Sequence, residues 1–132
     1  MEKTLRILIL EDVKSDADLM EFELVDAGFS FIAKRVMTEN AYLQGLEEFN
    51  PDLILSDYHL PQYTGMLALI EAKKRRPEVP FILVTGASGE IGEMLDAVLA
   101  RGAAGYVLKN RLESLVPAVK KVFSLGSGPL SG

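Results

Sequence analysis

Short apolar runs alternate with amphipathic stretches from one end of the chain to the other. Leu5 to Leu10 is broken only by Arg6, and Leu53-Ile54-Leu55 is apolar throughout, the pattern of strands buried on both faces of a parallel sheet. Phe31 to Val36 is a weaker strand, Pro80 to Val84 is the fourth, and Tyr106-Val107-Leu108 is the fifth. Between them lie helical spacings. Met20, Leu24 and Ala27 mark a first helix stopped by Gly28, with Ser15 as its expected N-cap and Asp16 and Asp18 favouring the dipole of its first turn. Thr38 should cap a second helix that carries Ala41, Tyr42, Leu46 and Phe49 and closes at Asn50-Pro51. Gly65 to Arg76 reads as the third, with Leu67, Leu69 and Ile70 inward and a basic end that suits the C-terminal dipole. Ile91, Leu95, Val98 and Leu99 make the fourth, up to Gly102. Leu115 to Phe123 is the fifth, with Pro117 tolerated in its first turn. Phe22 falls nearly opposite the Met20-Leu24-Ala27 stripe and is expected to be at least partly exposed.

Five strands alternating with five helices through short connections predict an α/β fold of right-handed βαβ units around a mainly parallel sheet. Residues 1–124 are expected to form one domain. Residues 125–132, small and polar, are expected to be a flexible tail, a linker or a cloning remnant. Two glycines in Ser88-Gly89-Glu90-Ile91-Gly92 predict a weakly held start to the fourth helix.

Composition narrows the chemistry. The net charge of −5 argues against direct binding of nucleic acid. With no cysteine and a single histidine, His59, neither a disulfide framework, a thiolate zinc site nor a His-rich metal site is available. No apolar run approaches the ~20 residues of a membrane span. These features imply a soluble, cytoplasmic chain without membrane contact.

The strand ends carry the candidate chemistry: Glu11-Asp12 after the first strand, Asp57 after the third, Thr85 at the fourth and Lys109 after the fifth. Parallel strands point the same way, so these residues converge on one edge of the sheet, where open α/β folds place their ligands. Three carboxylates in one small site repel unless a cation neutralises them, and oxygen ligands alone suit a hard cation such as Mg²⁺. A lysine, a hydroxyl and a carboxylate nucleophile beside such a metal can hold and receive a phosphoryl group. Taken one at a time, Asp57 could open a turn, Thr85 could cap a helix and Tyr106 could be a half-buried strand aromatic.

Ile7-Leu8-Ile9-Leu10-Glu11-Asp12, Asp57-Tyr58-His59-Leu60-Pro61 with Gly65, Val84-Thr85-Gly86-Ala87, and Gly102 to Lys109 together resemble the receiver domain of two-component response regulators. The resemblance covers residues 5 to 123 and extends, around the fifth strand, to receivers attached to sensor or hybrid kinases. It implies a flavodoxin-like (βα)5 three-layer sandwich with a parallel five-stranded sheet of order 2-1-3-4-5. It implies Asp57 as phosphoacceptor, Asp12 as a direct Mg²⁺ ligand, Glu11 as a ligand through water, and the His59 backbone carbonyl as the remaining protein ligand. Thr85 and Lys109 would hold the phosphoryl oxygens, and Thr85 and Tyr106 would form the switch that resets the face of helix four, strand five and helix five. The implied partner is a histidine kinase or histidine phosphotransfer protein, with an output domain possible beyond the C-terminus. Such a chain is not an enzyme, although it assists its own phosphoryl transfer and dephosphorylation. Two positions depart from the pattern: Glu11 stands where Asp is commoner, and Asn110 follows Lys109 where many members have Pro.

Other functions fit less well. A dehalogenase-like phosphatase wants a second Asp where His59 stands. Flavin binding wants a Ser/Thr/Gly-rich loop where Glu11-Asp12 would repel phosphate. A degenerate receiver acting as a non-phosphorylated interaction module is the alternative.

Overall fold

The computed structural model describes residues 4–86 and 91–124, including the backbone but not the side chain of Ile91. The expected glycine-rich start at Ser88-Gly89-Glu90 and the tail at 125–132 lie outside the described residues. Seven strands and five α-helices follow in chain order: β1 (Leu5–Leu10), α1 (Lys14–Asp26), β2 (Phe31–Val36), α2 (Glu39–Glu48), β3 (Leu53–Ser56), β4 (His59–Leu60), β5 (Tyr63–Thr64), α3 (Gly65–Arg75), β6 (Phe81–Thr85), α4 (Ile91–Ala100), β7 (Gly105–Leu108) and α5 (Leu115–Ser124). The main sheet has the order β2-β1-β3-β6-β7 with every pairing parallel, which is the expected 2-1-3-4-5 once β4 and β5 are set aside as a small antiparallel hairpin.

Alternation along the strands splits the interior in two. Leu5, Ile7 and Ile9 of β1, with Leu53, Leu55, Ile82 and Val84, pack against Met20 and Leu24 of α1 and Leu115, Val119 and Phe123 of α5. Leu8, Leu10, Ile54, Phe81 and Leu83 face α2, α3 and α4 through Tyr42, Leu46, Ala68, Leu69, Leu95 and Val98. Helices on both faces of a parallel sheet give three layers and leave the strand ends as the place for polar chemistry.

Thr38 caps α2 as expected, its Oγ1 accepting from the Ala41 amide at 3.2 Å. Thr64, unnoticed in the sequence, does the same for α3 through the Leu67 amide. Two expectations need correction. Ser15 is not the N-cap of α1: Val13 holds that position with no side-chain cap, and its amide is fixed from outside by Glu11 Oε2 at 3.1 Å, so the helix starts two residues earlier than expected. Leu67 is exposed (49%) rather than inward, because it lies about 200° around the helix from Leu69 at about 100° per residue. The inward stripe of α3 is Gly65, Ala68, Leu69 and Ala72. A 3₁₀ turn at Lys109–Ser114, broken at Arg111 (φ −135°, ψ 47°), precedes α5 and was not anticipated. Phe22 is 62% exposed on the outer face of α1.

Candidate functional site

The site grows from where the strands stop. β1 and β3 are neighbours in register, Leu10 beside Ser56, so Glu11-Asp12 and Asp57 leave the sheet side by side. The Asp57 amide donates to the Leu10 carbonyl at 3.0 Å, which fixes this step in the backbone. One carboxylate oxygen from each of Glu11, Asp12 and Asp57 lies within 4.8 Å of the others. Glu11 is fully buried, Asp57 is 7% exposed, and Asp12 is half-buried at the mouth.

Close approach of the chain to itself holds the Asp57 loop. Gly65 opens α3 directly over it, its amide donating to the Tyr58 carbonyl at 2.7 Å. A Cβ at this position would sit 2.7 Å from the Asp57 carbonyl oxygen and 2.9 Å from Tyr58 Cα, closer than side chains approach backbone. Only glycine lets α3 begin there. The β4–β5 hairpin spans the rest of the loop, with Gln62 in the left-handed region at φ 61°. The Tyr58 amide donates to Asp57 Oδ1 at 2.7 Å and orients the carboxylate.

β6 and β7 bring the remaining groups. Thr85 pairs with Leu108, so the hydroxyl and Lys109 end adjacent strands. Lys109 Nζ donates to Asp57 Oδ2 at 3.0 Å and to Asp16 Oδ2 at 2.7 Å. It also lies 2.8 Å from Glu11 Oε1, yet without hydrogen-bond alignment: the contact is an ion pair, and Oε1 remains a buried oxygen with no hydrogen bond among the described residues. Thr85 Oγ1 is likewise buried and without a hydrogen-bond partner among the described residues. Burial raises the Glu11 pKa, opposed by Lys109 and the Val13 amide and reinforced by the Asp57 charge. Burial alone would lower that of Lys109, but its hydrogen bonds to Asp16 and Asp57 and its ion pair with Glu11 together hold the ammonium above its ordinary value.

The structure therefore brings together Glu11, Asp12, Asp57 and Lys109, with Thr85 beside Lys109 on the sheet. His59 stands exposed at the start of β4, its ring edge-on to Tyr58 at 5.0 Å. Tyr106 lies apart from the pocket, opposite Leu83 on β7 and 43% exposed, on an open cleft of about 330 Å³ that includes Leu99 and Ala118. Asp16 is the residue that sequence reasoning missed. Its place in the first turn of α1 suggested a dipole role, and only the reach of Lys109 from a strand 93 positions away reveals its pairing. Three carboxylate oxygens and no softer ligand form a donor set that fits a hard divalent cation, and a buried Glu11 oxygen that has an ion pair but no hydrogen bond among the described residues is the kind of atom such an ion or its water satisfies.

Known proteins share this fold. A family model described as the response regulator receiver domain matches residues 7–120. The transcriptional regulatory protein DegU of Brevibacillus brevis is 30% identical over 128 residues, which are 96% of this chain and 53% of that protein. The chain thus spans about half the length of that relative. Among solved structures, a CheY-like response regulator receiver domain protein from Methanospirillum hungatei is similar at 27% identity and a TM-score of 0.78, covering 93% of this chain and 96% of that one. The BeF3-activated DrrB receiver domain is similar at 26% identity and a TM-score of 0.76, covering 92% and 99%. A LuxR-family DNA-binding response regulator from Staphylococcus aureus follows at 26% identity and a TM-score of 0.75, covering 89% and 98%.

Proposed function

This chain belongs to the response regulator receiver domain family, and we propose that it accepts a phosphoryl group on Asp57 from a histidine kinase or histidine phosphotransfer protein. The observation that carries the reading is the juxtaposition of Asp57 with two further carboxylates within 4.8 Å and a lysine at 3.0 Å. A purely structural strand end has no use for three clustered carboxylates that a single lysine cannot balance.

In the proposed transfer, an Asp57 carboxylate oxygen forms a bond to phosphorus while the bond from phosphorus to the donor imidazole nitrogen breaks, the electron pair leaving with the imidazole. Mg²⁺, when bound, supplies positive charge for the transferring oxygens. Asp12, Asp57 and the His59 backbone carbonyl would hold it, with Glu11 reaching it through water. Every other task falls to the chain's own groups. The Tyr58 amide keeps the Asp57 carboxylate aimed. Lys109 places an ammonium where phosphoryl charge gathers, and the free Thr85 hydroxyl is a donor for one of its oxygens. The domain turns nothing over: it is acceptor and then switch.

Output follows from the strand pairing. Thr85 is tied to β7 through Leu108, and Tyr106 lies two residues upstream on the α4–β7–α5 face. Movement of Thr85 toward a phosphoryl oxygen changes the room available to Tyr106 and so the shape of that face. The expected reset of residues 86–93 falls in part on residues 87–90, which lie outside the described residues. Beside α5 in the same layer, Leu19, Phe22 and Val25 expose an apolar side of α1, available to the phosphodonor protein.

Intact-mass measurement after incubation with acetyl phosphate and Mg²⁺ tests the reading. Wild type should gain the mass of one phosphoryl group, Asp57→Asn should gain none, and Asp12→Ala should need far more Mg²⁺. An unmodified wild type would leave the interaction-module alternative standing, and labelled Asp57→Asn would place the acceptor elsewhere.

A further inference from the structure

Lys109 has three protons to give and three carboxylates within 3.0 Å. Its two aligned hydrogen bonds go to Asp57 and to Asp16, and the shorter is to Asp16, at 2.7 Å against 3.0 Å. Asp16 stands outside the three-carboxylate cluster, and among the described residues Lys109 is the partner of its carboxylate. It sits on the first turn of α1, which packs against the 3₁₀ turn that Lys109 opens. Asp57 is held by the Tyr58 amide and Asp16 by its helix, so the ammonium is suspended between two positioned acceptors.

We propose that Asp16 is a positioning residue that shares the Lys109 ammonium with Asp57 and thereby limits how fully that charge is committed to a phosphoryl group. The proposal rests on the phosphoacceptor reading above. Its logic is electrostatic competition: an ammonium already bonded to an anion has less of its field to offer a second one, and the first anion also repels the second. Asp16 is only about one-third exposed at the side chain and Lys109 one-fifth, so solvent screens this competition incompletely. A receiver built this way trades tightness of the phosphorylated state for ease of return.

Asp16→Asn isolates the charge, because the amide oxygen can still accept from Nζ. Calorimetric titration with beryllofluoride at fixed Mg²⁺ should show roughly 3- to 10-fold tighter binding in Asp16→Asn than in wild type, the size expected for one partly buried charge pair. The gain should disappear when both variants carry Lys109→Ala. In the metal-free protein, the ¹⁵Nζ resonance of Lys109 should shift in Asp16→Asn and broaden by faster proton exchange in Asp16→Ala, a readout that depends on no ligand. Equal or weaker beryllofluoride binding in Asp16→Asn overturns the proposal, as does a gain that survives in the Lys109→Ala background. An Nζ resonance indifferent to Asp16 overturns it as well. Failure of wild type to bind beryllofluoride at all overturns the phosphoacceptor reading itself, which these outcomes keep distinct.

Discussion

The core between the sheet and helices α2 and α3 treats its polar atoms differently from the pocket at the strand ends. In the core, the Tyr42 hydroxyl is fully buried and donates one 2.7 Å hydrogen bond to the Ala68 carbonyl. One donor meets one acceptor, both neutral. In the pocket a single ammonium answers three carboxylates, a buried glutamate oxygen has no hydrogen bond, and a buried threonine hydroxyl has none either among the described residues. Both regions are built by the same strands, one residue apart in places, so local sequence does not explain the contrast. A protein tolerates like charges and orphaned oxygens where a ligand is to complete them, and removes them where packing alone is at stake.

That comparison predicts opposite responses to mutation. The largest effect belongs to the core: Leu46→Ala, at a fully buried position on α2, should cost about 2–5 kcal/mol in urea denaturation. Mg²⁺ affinity of the folded protein should stay at the wild-type value. A marked loss of affinity would mean that the two regions are coupled rather than merely adjacent. Gly65→Ala comes next and acts on both, because the new Cβ meets the Asp57 carbonyl at 2.7 Å and Leu83 Cδ1 at 2.9 Å. It should cost about 1–3 kcal/mol and also weaken Mg²⁺ binding and labelling of Asp57. If it lowers stability but leaves both untouched, the glycine serves the helix start and not the loop.

Much of this division can be read from the chain. Runs such as Leu53-Ile54-Leu55 and the stripe Met20, Leu24 announce strands and a helix because burial imposes a period, and the parallel sheet then carries Glu11, Asp12, Asp57 and Lys109 to one edge. What escaped depends on phase and reach. The exposure of Leu67 turns on which face of α3 meets the sheet: the helix starts at Gly65 as expected, but Leu67 and Leu69, two residues apart, cannot share one face. The cap of α1 escaped because a glutamate side chain, not a local hydroxyl, organises its entry. Asp16 escaped for a third reason: a long lysine stem can pair with several acids, and one-dimensional spacing does not say which.

Glu11→Gln sharpens the comparison from the pocket side. The wild-type carboxylate is fully buried beside Asp57, and burial is the main cause of its raised pKa. The neutral amide removes one of three repelling charges while Lys109 keeps its bonds to Asp16 and Asp57. Without Mg²⁺ the variant should be more stable than wild type by about 1 kcal/mol, and it should bind Mg²⁺ more weakly. Chemical denaturation with and without Mg²⁺ measures both. A variant less stable than wild type in the absence of metal would show that the ion pair of Glu11 with Lys109 outweighs the repulsion the glutamate brings.

The smallest effect concerns the one orphan on the core side. Tyr63, on the hairpin behind Asp57, is 5% exposed, its ring centroid 6.1 Å from that of Tyr42, and its hydroxyl is buried with no hydrogen-bond partner among the described residues. Burial, with smaller contributions from Glu39 and Glu71, pushes its pKa from 10.0 up to about 12. Tyr63→Phe keeps the ring and deletes the unsatisfied atom, so it should be neutral or stabilising by up to ~1 kcal/mol, whereas Tyr42→Phe, which strands the Ala68 carbonyl, should cost about 1 kcal/mol. The pH dependence has a definite sign. Because the folded-state pKa lies above the unfolded one, the neutral phenol favours the fold, and its contribution is intact below pH 10.0 and lost as pH rises through about 12. The stability of wild type relative to Tyr63→Phe should therefore fall across that interval and stay flat below it. Should Tyr63→Phe instead cost as much as Tyr42→Phe at neutral pH, the Tyr63 hydroxyl has a partner of its own, and the rule that separates the core from the pocket loses its one apparent exception.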